Sequence, residues 1–162
     1  MLTYYVLTYY VIAAKVTDII CQRTKMKIKQ IATALEELNS DAREGFDFEY
    51  QIIPGEEEVL QISLQNREEI PVYLTETDTQ LLCISYLWDE SEIKTEAKTD
   101  MVEMMLDMNI PMPLSSFSRI GDKYAVFGAL SLNSSAEDIA HEIVTLSDNA
   151  IEAIDVMSDF LK

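Results

Sequence analysis

Two pairs of predicted β-strands with a helix between them, all within residues 70–132, constrain the fold more than any other feature of this chain. The pairs lie in the runs IPVYLTETDTQLLCISYLWDESEI and NIPMPLSSFSRIGDKYAVFGALSLN, and the two-residue connection Gly121-Asp122 is typical of a hairpin. The predicted elements are strands at 71–76 and 80–88, a helix at 93–108, and strands at 114–120 and 123–132. Short turns between successive strands indicate antiparallel pairing.

The flanking segments extend this pattern. Helical spacing of apolar residues predicts a helix over 27–39 and a long one over 136–161, where Ser134 and Ser135 precede acidic residues in capping-box positions. Period-two alternation predicts strands over 46–52 and 60–65, joined by a Pro-Gly turn. The order α-ββββ-α-ββ-α predicts an α+β fold, an antiparallel sheet with helices packed on it.

The predicted strand at residues 80–88, QLLCISYLW, is apolar at both odd and even positions. A strand that is half-buried in an antiparallel sheet normally alternates apolar and polar residues. We therefore expect this strand to be central, and either covered on both faces or covered on one face and paired with a partner.

The charge of the chain is strongly negative: 12 Lys and Arg face 29 Asp and Glu, for a net charge of −17. Nucleic acid binding and docking on an anionic membrane both depend on basic residues, so this balance argues against them. An acidic surface would attract a basic protein segment. The alternative is that the acids, which are spread along the chain, only maintain solubility.

Residues 1–25 differ from the remainder. The pentapeptide LTYYV occurs at 2–6 and again at 7–11, and the uncharged stretch ends at Lys15, too short to span a membrane. No basic residue precedes the apolar run, unlike in a signal peptide. We expect these residues to be an N-terminal extension that is absent from the native protein, with a single α+β domain from Met26 to 162. A genuine anchor or extra helix is the alternative, and mass spectrometry of the native N-terminus would decide.

The residues that usually carry catalysis are scarce. His141 is the only histidine, Cys21 and Cys83 form no spaced pair, and Ser115 lies in no G-x-S-x-G motif. The acids of 89–92 lack the spacing of a calcium loop and fit the start of a helix better. We expect no enzyme activity, cofactor or metal, and a reducing cytoplasmic location. A hydrolase or transferase would require a pocket that brings His141 to Ser115 or Cys83.

Several residues in and before the predicted helix 93–108 are candidates for contact with a protein partner. Methionines are enriched over 101–112, and flexible thioethers suit adaptable binding surfaces, although most of them continue the apolar face of the helix and fit core packing as well. An aromatic residue at a strand end can anchor a partner or cover the edge of the core. The predicted partner contacts are Trp88, Met104, Met105 and Met112.

The phrases IPVYLTETDTQLLCISYLWDESE, NIPMPLSSFSRIGDKYAVFGALSLNSS and DIAHEIVTLSDNAIEAI resemble the YjfI-like bacterial family of unknown function. The resemblance runs from about Met26 to the C-terminus. It implies a cytoplasmic protein, often encoded beside relatives of phage-shock protein A, a membrane-repair and stress factor, and it carries over no catalytic residues. The order of elements is also similar to that of type III secretion chaperones and YbjN-like proteins, small acidic domains that bind protein segments and are often dimeric.

These features together predict a non-enzymatic interaction domain, chaperone-like or regulatory, with a relative of phage-shock protein A as a candidate partner and a homodimer as an open expectation. The alternative is a small-ligand or metal-responsive module that uses the acids of 89–92 or the methionines.

Overall fold

The structure, a computed structural model, describes residues 27–162. The predictions for residues 1–25 lie outside this range. The predicted α+β class and the order α-ββββ-α-ββ-α are confirmed. The helices are α1 (Ile28–Glu36), α2 (Lys98–Met108) and α3 (Ala136–Met157), and the strands are β1 (Phe48–Ile53), β2 (Val59–Leu64), β3 (Val72–Glu76), β4 (Gln80–Asp89), β5 (Ser116–Ile120) and β6 (Lys123–Ser131).

All six strands form one antiparallel sheet in the order β1-β2-β3-β4-β6-β5. Consecutive strands pair except between β4 and β5, where the chain leaves the sheet to form α2 and returns to the far edge. Gly121 begins the β5–β6 turn with φ +65°, a left-handed conformation that glycine adopts without strain. This topology makes β1 and β5 the edge strands.

The helices cover one face of the sheet, which we call the helical face. α3 crosses β4 and β6, and α1 lies beside α3 over β1–β3. The register fixes which residues point inward: Leu74, Cys83 and Gly128 are consecutive cross-strand partners on β3, β4 and β6, and all are buried. Ser135 begins α3 as predicted, with its Oγ accepting a hydrogen bond from the Asp138 backbone N–H at 3.1 Å.

The start of α2 differs from the sequence prediction. The helix begins at Lys98 and not at residue 93, because residues 90–97 form two 3₁₀ turns around an extended Ile93. Ile93 forms an isolated antiparallel bridge with Leu161, next to the C-terminus. This long-range pairing holds the segment extended, so helical spacing alone placed the boundary too early.

Two further boundaries depend on local backbone. Leu114 has φ +59°, which interrupts an extended chain, so β5 begins at Ser116 and not at residue 114. α3 ends at Met157, and a 3₁₀ turn over Ser158–Phe160 leads to the bridge at Leu161.

The face of the sheet opposite the helices, the open face, carries none of the three helices that the structure describes. β4 is central, as expected, with Leu81, Cys83 and Ser85 buried on the helical face. Its other side chains, Leu82, Ile84 and Tyr86, are partly or fully exposed. Within the described residues, β4 is therefore covered by helices on one face only, and the expected pairing of its other face with a partner stays a prediction.

Candidate binding groove

An apolar groove runs between α2 and the β5–β6 hairpin, on the helical face of the sheet. Its volume is about 380 Å³. The side chains that line it are Lys98, Val102, Met105, Leu106 and Asn109 from α2, Phe117, Ser118 and Arg119 from β5, and Tyr124 from β6. α2 packs on the core mainly through Met101 and Met105, the two residues it buries fully, and a gap remains between the helix and the β5–β6 hairpin.

Asn109 determines how α2 meets the edge strand. Its side-chain Oδ1 accepts a hydrogen bond from the backbone N–H of Phe117 at 2.6 Å. The N–H of an edge strand would otherwise be open to another chain. One side chain therefore satisfies the first outward N–H of β5 and fixes the width of the groove at this end.

A cationic end closes the groove. Lys98 and Arg119 both contact the carboxylate of Glu90, which lies just before α2. The hydrogen bond from Lys98, reinforced by the charge of Arg119, lowers the pKa of Glu90. The two charged side chains that line the groove are thus both cations, and they share one carboxylate at this end, which we call the cationic end.

Exposed apolar side chains occur at the C-terminal end of α2, where Leu106 lines the groove, and in the loop that follows. Leu106 is 63% exposed, and Ile110, in the loop after α2, is 91% exposed. Leu114 is also exposed, and a second small cavity of about 100 Å³ lies beside this loop, against α3. Single exposed apolar residues are ordinary, but a cluster that adjoins an apolar groove is typical of interaction sites.

The four predicted partner contacts fall around this groove, at different depths. Met105 lines its floor and is buried, and Met112 lines the small neighbouring cavity and is half-buried. Met104 is exposed on the outer side of α2. Trp88 is buried and stacks on Tyr124, with ring centroids 6.1 Å apart. Direct contact with a partner stays a prediction, and Met104 and Met112 are the two with an accessible side chain.

The acids of residues 89–92 have protein partners in the structure. The carboxylate of Asp89 accepts hydrogen bonds from Lys123 Nζ at 3.0 and 3.2 Å, and Glu92 accepts one from the Asp89 backbone N–H at 2.7 Å. Within residues 27–162, no group of three or more His, Cys, Asp and Glu side chains is arranged to hold a metal ion. Asp89 and Glu92 form a capping box at the 3₁₀ turn Glu90–Glu92, and not at the start of the α-helix, which begins at Lys98.

The three residues considered for catalysis each have separate surroundings. His141 is a surface residue, as predicted, and its Nδ1 lies 2.6 Å from Glu44 Oε1. Ser115 is buried, and its Oγ accepts a hydrogen bond from Asn149 Nδ2 at 3.0 Å. Cys83 is fully buried, as predicted, and burial raises the pKa of its thiol, with a smaller contribution from the charge of Glu142.

Glu142 is a buried carboxyl group that the sequence analysis missed. It is 2% exposed, lies between α3 and β6, and its Oε1 has no hydrogen-bond partner. The side chain occupies the space above Gly128, where an added Cβ would come within 1.6 Å of Oε1. One signal in the sequence could have revealed this burial. Glu142 lies three residues after Ile139 and one before Ile143, and therefore borders the row of apolar residues along α3.

Burial raises the pKa of Glu142, and this predicts a pH dependence of stability. Because the folded-state pKa lies above the unfolded value, the protonated form favours folding, and that stability is lost as pH rises through the folded-state pKa. Glu142→Gln is therefore expected to match the wild type at pH 4 and to be more stable by about 1–3 kcal/mol at pH 8, where the wild type buries an unpartnered charge. Urea unfolding at both pH values measures this.

Glu152→Gln, an exposed position on the same helix, serves as the control and is expected to change stability by less than about 0.5 kcal/mol at either pH. Equal stabilities of Glu142→Gln and wild type at pH 8 would contradict the assignment of a buried charge.

Comparison with known proteins places the chain in a family. The model of a family described as "Uncharacterized protein conserved in bacteria (DUF2170)" matches residues 25–161. The chain belongs to this family. The proteins named "Uncharacterized protein YjfI" from Escherichia coli K12 and from Escherichia coli O157:H7 are each 26% identical to it over 110 residues, which is 67% of this chain and 83% of theirs. The resemblance to a YjfI-like family is confirmed.

The family match spans every residue of the groove and the whole sheet, so the groove belongs to the part of the chain that the family shares. Within residues 27–162, none of the helices combines the length and apolar character that crossing a membrane requires.

Proposed function

We propose that this member of the family is a non-enzymatic interaction domain that binds a segment of another protein in the groove between α2 and β5. The observation that carries the proposal is the apolar groove with exposed Leu106 and Ile110 at its rim. A side chain as exposed as that of Ile110 does not stabilise the fold by burial. A partner that covers it would contribute about 25 cal/mol of binding free energy for each Å² of apolar surface removed from water.

The shape of the groove favours an extended or helical protein segment over a small molecule. Small-molecule sites enclose most of the ligand surface. Here the groove lies open between α2 and an edge strand, and the exposed side chains of Leu106 and Ile110 add apolar surface to it. A segment with two or three apolar side chains could fill the groove and cover the rim at once.

Charge favours a partner with basic residues at its flanks. α2 exposes Asp100, Glu103 and Asp107, and no basic residue occurs between Lys98 and Arg119. Positive side chains of the partner would meet these acids, while an acidic group or a C-terminal carboxylate would meet the cationic end. Such complementarity accelerates association at low salt and orients the partner.

The resemblance to the YjfI-like family suggests the first partner to test, a relative of phage-shock protein A. The similarity to type III secretion chaperones and YbjN-like proteins, which bind protein segments, supports the same class of function. It concerns the order of elements, and fold alone does not establish function.

The test compares matched pairs of exposed positions. In the full chain, Leu106→Gln combined with Ile110→Gln removes the apolar rim, and Ile151→Gln combined with Val156→Gln removes two exposed apolar side chains of α3. Titration calorimetry with the purified relative of phage-shock protein A should give a Kd at least tenfold weaker for the rim variant and unchanged for the α3 variant. Binding should weaken as salt rises from 50 to about 500 mM.

If the two double variants bound the partner with equal affinity, the groove would not be part of the binding surface. Absence of binding by the wild type at 100 μM would exclude this partner, and a capture experiment with the wild type and the rim variant side by side would then test the groove itself. A protein retained by both to the same extent would contradict the proposal.

A further inference from the structure

The open face of the sheet is apolar at its centre. The register places Tyr73 opposite Ile84, and Ile84 opposite Phe127, so that these three side chains form a row across β3, β4 and β6. Tyr86 packs against Tyr73 with ring centroids 5.7 Å apart and is 41% exposed. Leu82 extends the row along β4, and it is only partly covered.

The open face is also free of charge in its central strands. One residue in four of the chain is charged, and the net charge is −17. The row of Tyr73, Ile84 and Phe127, which we call the aromatic row, has no charged neighbours within the central strands. The flanking residues of β2, β3, β4 and β6 that point to the open face have only apolar, hydroxyl or amide side chains. They are Val59, Gln61, Ser63, Thr75, Ala125 and Ala129. Charges occur at the margin, at Glu49 on β1 and in the Asp89–Lys123 pair.

We propose that the open face is the interface between two copies of this chain. Two molecules with a net charge of −17 repel each other, so a self-association surface must exclude charge where the copies meet, and this face does. A basic partner is a poorer candidate for this face. It would be attracted to an acidic surface, and the centre of the open face has no acidic side chains. A two-fold axis through the centre of the face would bring the Tyr73–Tyr86 pair of each copy onto the aromatic row of the other.

The size of the face is sufficient for a dimer. Six strands spaced about 4.8 Å apart and about 20 Å long give the whole face, with its charged margin included, a planar area of roughly 600 Å². Two such faces bury about 1,200 Å², which reaches the lower limit of a specific protein–protein interface. Sheets that pack face to face in this way lie about 10 Å apart, with interdigitated side chains.

Self-association and the groove involve opposite faces of the sheet, so each can be tested without the other. Equilibrium sedimentation of the full chain should give twice the monomer mass of 18.5 kDa. The dimer should tighten as salt increases, because screening reduces the repulsion between two acidic copies. The opposite salt dependence is expected for a basic partner in the groove.

Tyr86→Glu places a like charge on both sides of the interface and should weaken dimerisation at least a hundredfold, and Tyr86→Ser at least tenfold. Val156→Glu, at a position of the same exposure on α3, is the control and should remain dimeric. Far-UV circular dichroism verifies that each variant is folded.

A wild-type chain that stays monomeric at high salt and 200 μM would overturn the proposal. This is the result expected if residues 1–26 cover the face or if the face binds a different protein. Dimerisation that is unaffected by either Tyr86 variant would overturn it too, since the dimer would then use another surface.

Discussion

Trp88→Ala is expected to lower the free energy of unfolding by about 3–5 kcal/mol, the range for truncating a buried tryptophan. The indole is 5% exposed and lies at the end of β4, on the helical face. It stacks on Tyr124, which forms part of the groove floor, so its removal would leave a cavity directly behind the groove. Any collapse of side chains into such a cavity would displace Tyr124, one of the residues that line the groove.

The matched control is Tyr86→Ala, two residues earlier on the same strand. Tyr86 points to the open face and is 41% exposed, so its truncation should cost less than about 1 kcal/mol in the unfolding of the monomer. Urea unfolding at low protein concentration, where the proposed dimer dissociates, measures both variants. If Trp88→Ala cost no more than Tyr86→Ala, the indole would not be packed in the core.

This result would also separate two roles of Trp88. A partner anchor truncated to alanine loses affinity while the fold stays stable. A core residue loses stability first, and any loss of affinity follows from the deformed groove. With the indole buried, we expect Trp88→Ala to affect binding only through Tyr124 and α2.

The order and type of the three α-helices and six strands within residues 27–162 could be predicted because each is encoded locally. Period-two alternation in β1 and β2, the Gly121-Asp122 turn and the capping box at Ser135 are signals within a few residues. The start of α2 could not be predicted in this way. Ile93 is held extended by its bridge with Leu161, which is far away in sequence. The helical spacing of apolar residues contains no information about such a long-range contact.

The groove was predictable only in part. The methionine-rich stretch lies beside the groove, where Met105 is one of its lining residues and Met112 lines the neighbouring cavity. Lys98 and Arg119 at its cationic end were missed because only tertiary packing brings them to the same Glu90 carboxylate. Which methionine faces outward depends on how α2 is rotated against the sheet, and spacing along one helix does not determine that.

Gly128→Ala is expected to lower the free energy of unfolding by about 2–3 kcal/mol, the upper part of the range for overpacking a core. The added Cβ would lie 1.6 Å from Glu142 Oε1, 2.8 Å from its Cδ and 3.2 Å from the backbone oxygen of Leu114. The buried carboxyl would have to leave its position, and α3 covers it. Thermal or urea unfolding of the purified variant gives the value.

A double-mutant cycle identifies the cause. Glu142→Ala removes the atoms that the new Cβ meets first, so Gly128→Ala should cost at least about 1 kcal/mol less in that background than in the wild type. The rescue should be incomplete, because the Leu114 carbonyl oxygen is backbone and remains near the Cβ. If the effects of Gly128→Ala and Glu142→Ala on the free energy of unfolding were additive, the cost of Gly128→Ala would arise within strand β6 and not from its contact with Glu142. A coupling energy between the two substitutions would instead show that Gly128 and Glu142 pack against each other. Gly128 has no side chain, and the space that this leaves on β6 is occupied by the carboxyl group of Glu142 from α3.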